Sequence, residues 1–373
     1  MATAQLAGRR PLWPLIRQYM TVFDGPLAII VFLIFAVSTI TMYSAGLDFP
    51  GRVEDHLRNI IVSFVIMWIA AVVPPQTLMR FALPIYTVGV ALLVAVAMFG
   101  LIKKGARRWL NVGVVIQPSE ILKIAAPLML AWFFQKREGM IRWQDFIIAA
   151  LLLLIPFGLI AKQPDLGTAI LVGAAGFYVI FLAGLSWKVM FGLVLAGGAS
   201  LPVVWSMLHD YQRARVMTLI DPTTDPLGKG FHIIQSMIAI GSGGVAGKGW
   251  MSGTQAHLEF IPERTTDFIF AVYSEEFGLI GNCVLLVLYL LLIGRGLLIS
   301  ANAPSLFSRL MGGAITMIFF TYAFVNMGMV SGILPVVGVP LPFMSYGGTA
   351  FVTLGLGIGI LMSIQRHRKL VQT

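Results

Sequence analysis

A group of charged residues borders a long apolar run in the C-terminal half of the sequence. Residues 260–270, FIPERTTDFIF, place Glu263, Arg264 and Asp267 at the edge of this run. An aspartate can cap a helix, but the two threonines before Asp267 could cap this helix equally well. Because capping does not require Asp267, we interpret it as a functional carboxylate at the mouth of a membrane span.

Two further carboxylates, Glu275 and Glu276, follow two turns deeper in the same run. Adjacent carboxylates within a membrane span are costly unless they are paired or hydrated. We therefore expect a water-accessible cavity beside this helix, with both glutamates as supporting polar groups.

A second polar group lies at the start of another apolar run, within residues 103–128. Pro118 can begin a helix, which puts Glu120 in its first turn and Lys123 three residues later on the same face. This pair is either an ion pair at the mouth of a span or the polar floor of a site for a diphosphate. Four cations precede it, and contact with anionic lipid would explain them as well as a ligand would. They are Lys103, Lys104, Arg107 and Arg108.

Two other segments interrupt the apolar sequence. Asp165, in KQPDLGTAI (residues 162–170), is either the cap of the next helix or a ligand for a metal ion or a substrate. Residues 331–351 contain several prolines and glycines, and irregular backbone at membrane depth is tolerated only inside protein or beside a cavity. Ser345 lies in this segment and is predicted to be a further supporting polar residue.

The composition requires a membrane. Of the 373 residues, 58% are hydrophobic and 11% are charged, whereas about 25% of a soluble domain is charged. One span needs about 20 mostly apolar residues, and we count about ten such runs. They begin near Pro26, Leu57, Arg80, Pro118, Asp145, Gly167, Lys188, Asp267, Ser305 and Tyr346. The sequence predicts an all-α integral membrane protein that forms one polytopic domain over residues 1–373.

The distribution of charge predicts the orientation. The net charge is +10, and cations flank both the first and the last span. An even number of spans puts both termini on one side, and the positive-inside rule places them in the cytoplasm. Cations are almost evenly divided between the two sides, but the rule discounts long loops. One such extracytoplasmic loop, residues 209–266, joins spans 7 and 8, and its apolar FHIIQSMIAI predicts a short interfacial or re-entrant helix.

These segments together resemble the SEDS family (shape, elongation, division and sporulation). The matching segments are GARRWLNVGVVIQPSEILKIA, QPDLGT, GKGW followed by GTQ, FIPERTTDFIFAV, EEFGLIG and LPFMSYGG, in the family's order. The similarity runs from about residue 27 to residue 366 and is strongest to the elongation branch of the family.

The resemblance implies a ten-span peptidoglycan glycosyltransferase of the bacterial plasma membrane, whose active site faces outside the cytoplasm. The implied substrate is lipid II, a disaccharide-pentapeptide on undecaprenyl diphosphate. The implied partners are a class B penicillin-binding protein and other rod-shape elongation proteins, with no nucleic acid. Asp267 corresponds to the essential carboxylate of the family's TDFIF motif, and Glu120 and Lys123 correspond to the polar pair of its QPSE segment.

A mechanism follows as a hypothesis. Asp267 acts as the general base for the 4-hydroxyl of the acceptor sugar, which attacks C1 of the donor sugar and inverts it. Preorganised cations and a divalent ion, Mg²⁺ or Mn²⁺, stabilise the departing diphosphate, and no organic cofactor is expected. Asp165 is a candidate metal ligand. The candidate cations are Arg107, Arg108, Lys123 and Arg264.

Two other functions compete with the enzyme, and the first of them would use the same polar cavity. A flippase would move lipid II across the bilayer, although transporters usually bind their substrate near the midplane, between broken helices. A non-catalytic scaffold would only position the penicillin-binding protein. The two buried glutamates favour the flippase, whereas polar residues at the outer mouths of spans favour the enzyme.

Overall fold

The chain folds into twelve described helices and three short strands. The computed structural model describes residues 22–368 except 104–105, 112, 114, 164, 209–212, 214–215, 220, 222–228, 259 and 262. The helices are α1 Gly25–Ala45, α2 Arg52–Val72, α3 Pro75–Phe99, α4 Pro118–Gln135, α5 Trp143–Ala161, α6 Leu166–Leu182, α7 Trp187–Met207, α8 Lys229–Ser242, α9 Thr254–His257, α10 Ile269–Ala301, α11 Leu306–Val330 and α12 Gly348–Arg368. The predicted Lys104 and most of the 209–228 part of the long loop lie outside the described residues.

The helical membrane character is confirmed. Each of the ten predicted spans overlaps a helix, and seven helices are long and apolar enough to cross a membrane. Two shorter apolar helices, Gly167–Leu182 and Trp187–Val203, accompany them in the described part of the chain. The number of crossings, the sidedness and the placement of the loop stay predictions.

Helix α11 lies at the centre of the bundle. It packs against α4, α6, α10 and α12, and most of its length is buried. Helix α12 packs most extensively on α2, where Gly355 and Gly359 bring the two backbones together. A side chain at Gly359 would meet the carbonyl oxygen of Met67 at 2.5 Å. This packing fixes the segment that precedes α12.

The sequence analysis did not predict the small antiparallel sheet between α3 and α4. Strand β1, Leu101–Lys103, pairs with β2, Ala106–Asn111, which pairs in turn with β3, Val115–Ile116. The three strands are too short to show a clear alternating pattern against the surrounding apolar sequence. The sheet brings the basic residues of β2 beside the start of α4.

The predicted apolar segment of the long loop forms α8, which packs against α10 and α11. The loop after α8 lies on a break in α10 at Gly278, where φ is 62°. Because the helix breaks there, the carbonyl groups of Glu275 and Glu276 accept backbone hydrogen bonds from Lys248 and Gly249 at 3.0 Å. A Cβ at Gly278 would lie 2.3 Å from the nitrogen of Gly247, so this contact requires glycine.

Candidate active site

A polar cavity of about 530 Å³ lies where the turn before α10 meets the starts of α4, α6 and α12. Five of the residues predicted from the sequence line it. They are Arg108, Glu120, Lys123, Asp165 and Asp267. The fold therefore brings together side chains that are separated by up to 159 residues in the sequence, from 108 to 267.

Helices α4, α11 and α12 form the floor of the cavity. The Lys123 ammonium group donates to Oε1 of Glu120 at 2.6 Å and to the Tyr322 hydroxyl at 2.7 Å. The hydroxyl group of Thr353, on α12, lies 3.3 Å from Oε2 of Glu120. Lys123 is almost fully buried, and a buried ammonium group is tolerated when it is paired in this way. The predicted Glu120–Lys123 pair is present, and it cross-links three helices.

Asp165 connects the small sheet to α6. Its Oδ1 caps α6 by accepting from the nitrogen of Thr168 at 3.3 Å, and its Oδ2 accepts from Nε2 of Gln117 at 3.2 Å. The guanidinium group of Arg108 lies 3.6 Å from the same carboxylate. Both oxygens therefore have structural partners and the capping alternative is observed, while the role of Asp165 as a ligand for a metal ion or a substrate stays a prediction.

Asp267 lies half-buried on the wall of the cavity, in the turn that leads into α10. Its backbone carbonyl accepts from Nδ2 of Asn326 at 2.9 Å. Its carboxylate faces the segment of residues 336–340, because a Cβ on Gly338 would lie 3.4 Å from Oδ2 of Asp267. Gly338 has φ of +75°, so this close wall is made of backbone that favours glycine.

Arg264 lies outside the cavity, contrary to its predicted role as a diphosphate ligand. Its side chain is buried, donates from Nε to the carbonyl oxygen of Ala45 at 3.0 Å and forms an ion pair with Asp48. Its guanidinium group also lies 5.1 Å from the centre of the Phe49 ring. The arginine ties the turn that carries Asp267 to the end of α1.

Arg107 and Ser345 also lie outside the cavity lining. Adjacent residues of a strand point to opposite faces, and Arg108 points to the cavity, so Arg107 points away from it. The Arg107 side chain is exposed and donates to the carbonyl oxygen of Ala97. Ser345 is buried and accepts from the backbone nitrogen of Leu341 at 2.8 Å, which closes the turn before α12. Ser345 therefore supports the turn before α12 by its hydrogen bond to the backbone, not by facing the cavity.

Glu275 and Glu276 hold the loop after α8 rather than a cavity, which corrects the prediction. Glu275 accepts from Nζ of Lys248 at 2.7 Å and from the backbone nitrogens of Thr254 and Gln255 at 2.9 and 3.1 Å. Glu276 accepts from the Ser44 hydroxyl and from a backbone nitrogen of the same loop. Neither glutamate lines the cavity. Glu275 is therefore paired with Lys248 of the loop, whereas Glu276 is shared between α1 and the loop, and its buried Oε2 has no hydrogen-bond partner among the described residues.

Several polar residues of the site were not singled out from the sequence. Tyr322 and Asn326 are fully buried polar residues within the apolar α11, and that combination is a signal for function or for structural hydrogen bonds. His232, on α8, and Gln117 also line the cavity, as does Glu263, which the sequence placed at the edge of the apolar run without a role.

The carboxylates of the cavity do not by themselves form a metal site. Across the described ranges of the chain, no three His, Cys, Asp or Glu residues are grouped so that they could hold a metal ion. Asp165 is engaged by Arg108, Gln117 and the α6 backbone. A divalent ion would fit here only if other ligands, such as phosphate oxygens, completed its coordination.

Comparisons with known proteins agree with this architecture. Residues 18–370 match the profile of the FTSW_RODA_SPOVE family of cell cycle proteins. The chain is 51% identical over 350 residues to the peptidoglycan glycosyltransferase MrdB of Escherichia coli K12, covering 93% of this chain and 95% of that protein. A chain from a peptidoglycan synthase complex, described as coordinating polymerization and crosslinking, superposes with a TM-score of 0.81 at 33% identity, covering 93% of this chain and 98% of that one. Rod shape determining protein RodA of Thermus thermophilus superposes with a TM-score of 0.70 at 28% identity, covering 93% and 97%.

Proposed function

This chain belongs to the FtsW/RodA/SpoVE (SEDS) family and is a multi-pass membrane peptidoglycan glycosyltransferase, and from that premise we propose how its cavity performs the transfer. We propose that it polymerises lipid II into glycan strands during elongation of the cell wall. The observation that carries the proposal is the position of Asp267, in a polar cavity whose floor is the Glu120–Lys123 pair.

Lipid II suits a site at the boundary between polar and apolar surroundings. Its sugar and diphosphate are polar, whereas its polyprenyl tail stays in the bilayer. The cavity lies at the ends of apolar helices, so it can take the headgroup while the tail remains against the lipid-facing surface. We propose that the cavity opens outside the cytoplasm, where the predicted orientation places the turn before α10.

In the proposed reaction Asp267 takes the proton from the 4-hydroxyl group of the acceptor sugar. The oxygen forms a bond to C1 of the donor sugar as the bond from C1 to the diphosphate oxygen breaks. The electron pair of that bond leaves with undecaprenyl diphosphate, and C1 inverts from the α to the β configuration. The Gly338 backbone forms the wall beside the Asp267 carboxylate, and we propose that this wall favours one geometry for proton transfer.

The charge balance of the cavity supports a divalent cation. Its two cations already face carboxylates of the cavity, Arg108 with Asp165 and Lys123 with Glu120. Glu263, also in the lining, and Asp267 add two more negative charges where an anionic diphosphate must bind. We propose that Glu263 and the diphosphate oxygens hold Mg²⁺ or Mn²⁺, which would neutralise charge on the leaving group.

We also propose a class B penicillin-binding protein as the partner that crosslinks the new strand, together with other rod-shape elongation proteins. The structural similarity to a chain of a peptidoglycan synthase complex supports an assembly of this kind.

One experiment separates the enzyme from its two rivals. The purified chain in nanodiscs is given labelled lipid II, Mg²⁺ and no other polymerase, and Asp267→Asn is compared with the exposed-site control Glu54→Gln. We expect glycan strands from the native chain and the control, and none from Asp267→Asn. Strand synthesis that survives Asp267→Asn refutes the assignment of the base. Movement of lipid II between leaflets without synthesis would favour the flippase, and neither activity would leave the scaffold.

The cation is tested separately. Excess EDTA is expected to stop strand synthesis, and added Mg²⁺ or Mn²⁺ is expected to restore it. Glu263→Gln is expected to raise the Mg²⁺ concentration needed for half-maximal rate without changing the protein's thermal stability. Full activity in EDTA would contradict the proposal.

A further inference from the structure

A buried asparagine on α11 joins two opposite walls of the cavity. Nδ2 of Asn326 donates to the carbonyl oxygen of Asp267 at 2.9 Å and to the carbonyl oxygen of Val339 at 2.7 Å. The first carbonyl belongs to the turn that carries the catalytic carboxylate. The second belongs to the segment of residues 336–340, which contains Gly338 and faces that carboxylate. One amide group therefore sets the spacing between the turn that carries Asp267 and the segment of residues 336–340.

The orientation of this amide follows from its neighbours. Carbonyl oxygens only accept hydrogen bonds, so the nitrogen of Asn326 must face both of them, and its two hydrogens are then both used. Its Oδ1 is buried and has no hydrogen-bond partner among the described residues. Leaving a buried acceptor unsatisfied is unfavourable, so the asparagine carries a cost to stability that its two donated hydrogen bonds offset. A simple packing role would be served better by an apolar side chain of similar size.

The segment opposite Asp267 is also held from its other side. Gly167, in the first turn of α6, packs so closely that a Cβ there would lie 2.6 Å from the carbonyl oxygen of Val337. The segment is thus confined between α6 on one side and the turn of Asp267 on the other. Asn326 links the turn and the segment directly, so it determines how far the Asp267 carboxylate lies from the Gly338 backbone.

Two further hydrogen bonds attach the turn to the bundle at residues that precede Asp267. The backbone nitrogen of Tyr346 donates to the carbonyl oxygen of Thr265 at 2.8 Å, and Arg264 holds the turn to α1. These contacts position the turn in the bundle. The side-chain contact at the carbonyl group of Asp267 itself comes from Asn326.

We propose that Asn326 is a positioning residue for the transfer reaction: its two hydrogen bonds hold the Asp267 carboxylate at a fixed distance from the Gly338 wall. This inference rests on the proposed role of Asp267 as the general base. Asn326 does not line the cavity and is fully buried, so we expect it to make no contact with the substrate. Its loss should therefore slow the chemical step without weakening substrate binding.

The test compares Asn326→Leu and Asn326→Asp with Thr321→Val, using fluorescent lipid II and chain-length analysis of the product. Asn326→Leu removes both donors at similar size, and Asn326→Asp keeps the shape. Thr321→Val is the matched control because it removes a buried hydrogen bond from the same helix, 2.7 Å to the Tyr178 hydroxyl, away from the cavity. Lipid II binding sites are counted for each variant, so that a smaller folded fraction is not mistaken for slower chemistry.

We expect kcat per lipid II binding site to fall about 10- to 100-fold in both Asn326 variants, because small displacements of a catalytic group have effects of this size. KM should stay within about twofold, since the uniform binding of substrate is untouched. Thr321→Val should retain the native kcat per site. The aspartate variant decides the matter if the leucine variant does not fold.

Two outcomes overturn the proposal. In the first, either Asn326 variant keeps the native kcat per binding site; in the second, KM rises while kcat is unchanged. These failures are distinguishable from failure of the proposed function. If Asp267→Asn is inactive while Asn326→Leu turns over normally, the base assignment stands and the positioning role falls. If Asp267→Asn is active, both fall.

Discussion

Replacing Glu275 by glutamine should loosen the loop after α8 and leave catalysis intact. The Glu275 carboxylate accepts from Nζ of Lys248, the hydroxyl and backbone nitrogen of Thr254 and the backbone nitrogen of Gln255, all between 2.7 and 3.1 Å. A glutamine can keep its oxygen at the position of Oε1, but its amide group would then replace Oε2 and turn a hydrogen toward the backbone nitrogen of Gln255, which donates to Oε2 at 3.2 Å. The substitution removes the charge that balances Lys248 and turns the remaining contacts of Oε1 from charge-assisted into ordinary hydrogen bonds.

The expected cost lies between that of one charged hydrogen bond and that of a broken buried ion pair. The first is about 1.5–3 kcal/mol and the second about 3–5 kcal/mol. Glu275 has no exposed side-chain surface, but the Lys248 side chain is 27% exposed and can regain hydration. We therefore take about 2.8 kcal/mol, which corresponds to a roughly 100-fold increase in the opening equilibrium of the loop.

Hydrogen–deuterium exchange in nanodiscs measures this opening directly. Amides of residues 248–257 should exchange about 100-fold faster in Glu275→Gln if they exchange through local opening, while amides of α11 should not change. Glu54→Gln, at an exposed carboxylate, is the matched control and should leave both unchanged. The rate of strand synthesis per folded molecule should stay within about twofold of native, because Glu275 lies outside the cavity. Unchanged exchange with lost synthesis or altered lipid II movement would refute the reasoning and return Glu275 to a functional role.

Three other substitutions test neighbouring parts of the structure. Gly338→Ala places a methyl group 3.4 Å from Oδ2 of Asp267 at a residue with φ of +75°, so kcat should fall at least about tenfold while lipid II binding, measured by fluorescence, is retained. Arg264→Met should lower the melting temperature and leave KM for lipid II unchanged, because this arginine holds α1 rather than the substrate. Burial raises the pKa of Asp24, but the hydrogen bonds from Arg295 and from the helix backbone outweigh it, and the net pKa is lowered. The ion pair between Asp24 and Arg295 therefore stabilises the fold at pH values above about 3.9, the pKa of an aspartate in the unfolded chain. The difference in melting temperature between the native protein and Asp24→Asn should shrink as the pH falls through that value and below.

The parts of the fold that follow from local sequence were predictable. Apolar runs of sufficient length specify helices in a membrane because every backbone group must be satisfied within the segment. The Glu120–Lys123 pair was predictable for a similar reason, since residues three apart on a helix face each other whatever the rest of the chain does. Asp267 could be singled out because neighbouring threonines made its capping role redundant.

Residues whose partners are distant in sequence could not be assigned in this way. Arg264 precedes Asp267 by three residues, yet its partners are Ala45 and Asp48, at the other end of the chain. An arginine beside a catalytic carboxylate has the same local pattern whether it binds a substrate or an aspartate. The direction of its side chain is decided by packing between α1 and the turn, which sequence spacing does not specify.

Glu275 is a second residue whose partner could not be predicted from local sequence. The cost of burying Glu275 correctly predicted that it must be paired or hydrated. The sequence could not distinguish water from the loop as the source of that pairing, because the loop reaches Glu275 through a break in α10 at Gly278. A break at a glycine within a long apolar run leaves no distinct sequence signal.

The arrangement of the helix ends supports the proposal that a cavity with more carboxylates than cations receives a diphosphate. Glu120, Thr168 and Thr349 lie in the first turns of α4, α6 and α12, and Phe268 directly precedes α10; all four residues line the cavity. Four helices therefore direct their N-terminal ends toward one space, and each such end carries about half a positive charge. These backbone dipoles supply part of the positive potential for which Arg107 and Arg264 were predicted, and they do so without mobile side chains.

A flippase needs its polar groups spread along a path through the bilayer, whereas here the groups converge at one end of the helices. Glu275 is accounted for by the loop and no longer favours transport, and the convergence of polar groups at one end of the helices favours transfer chemistry on the proposed diphosphate substrate.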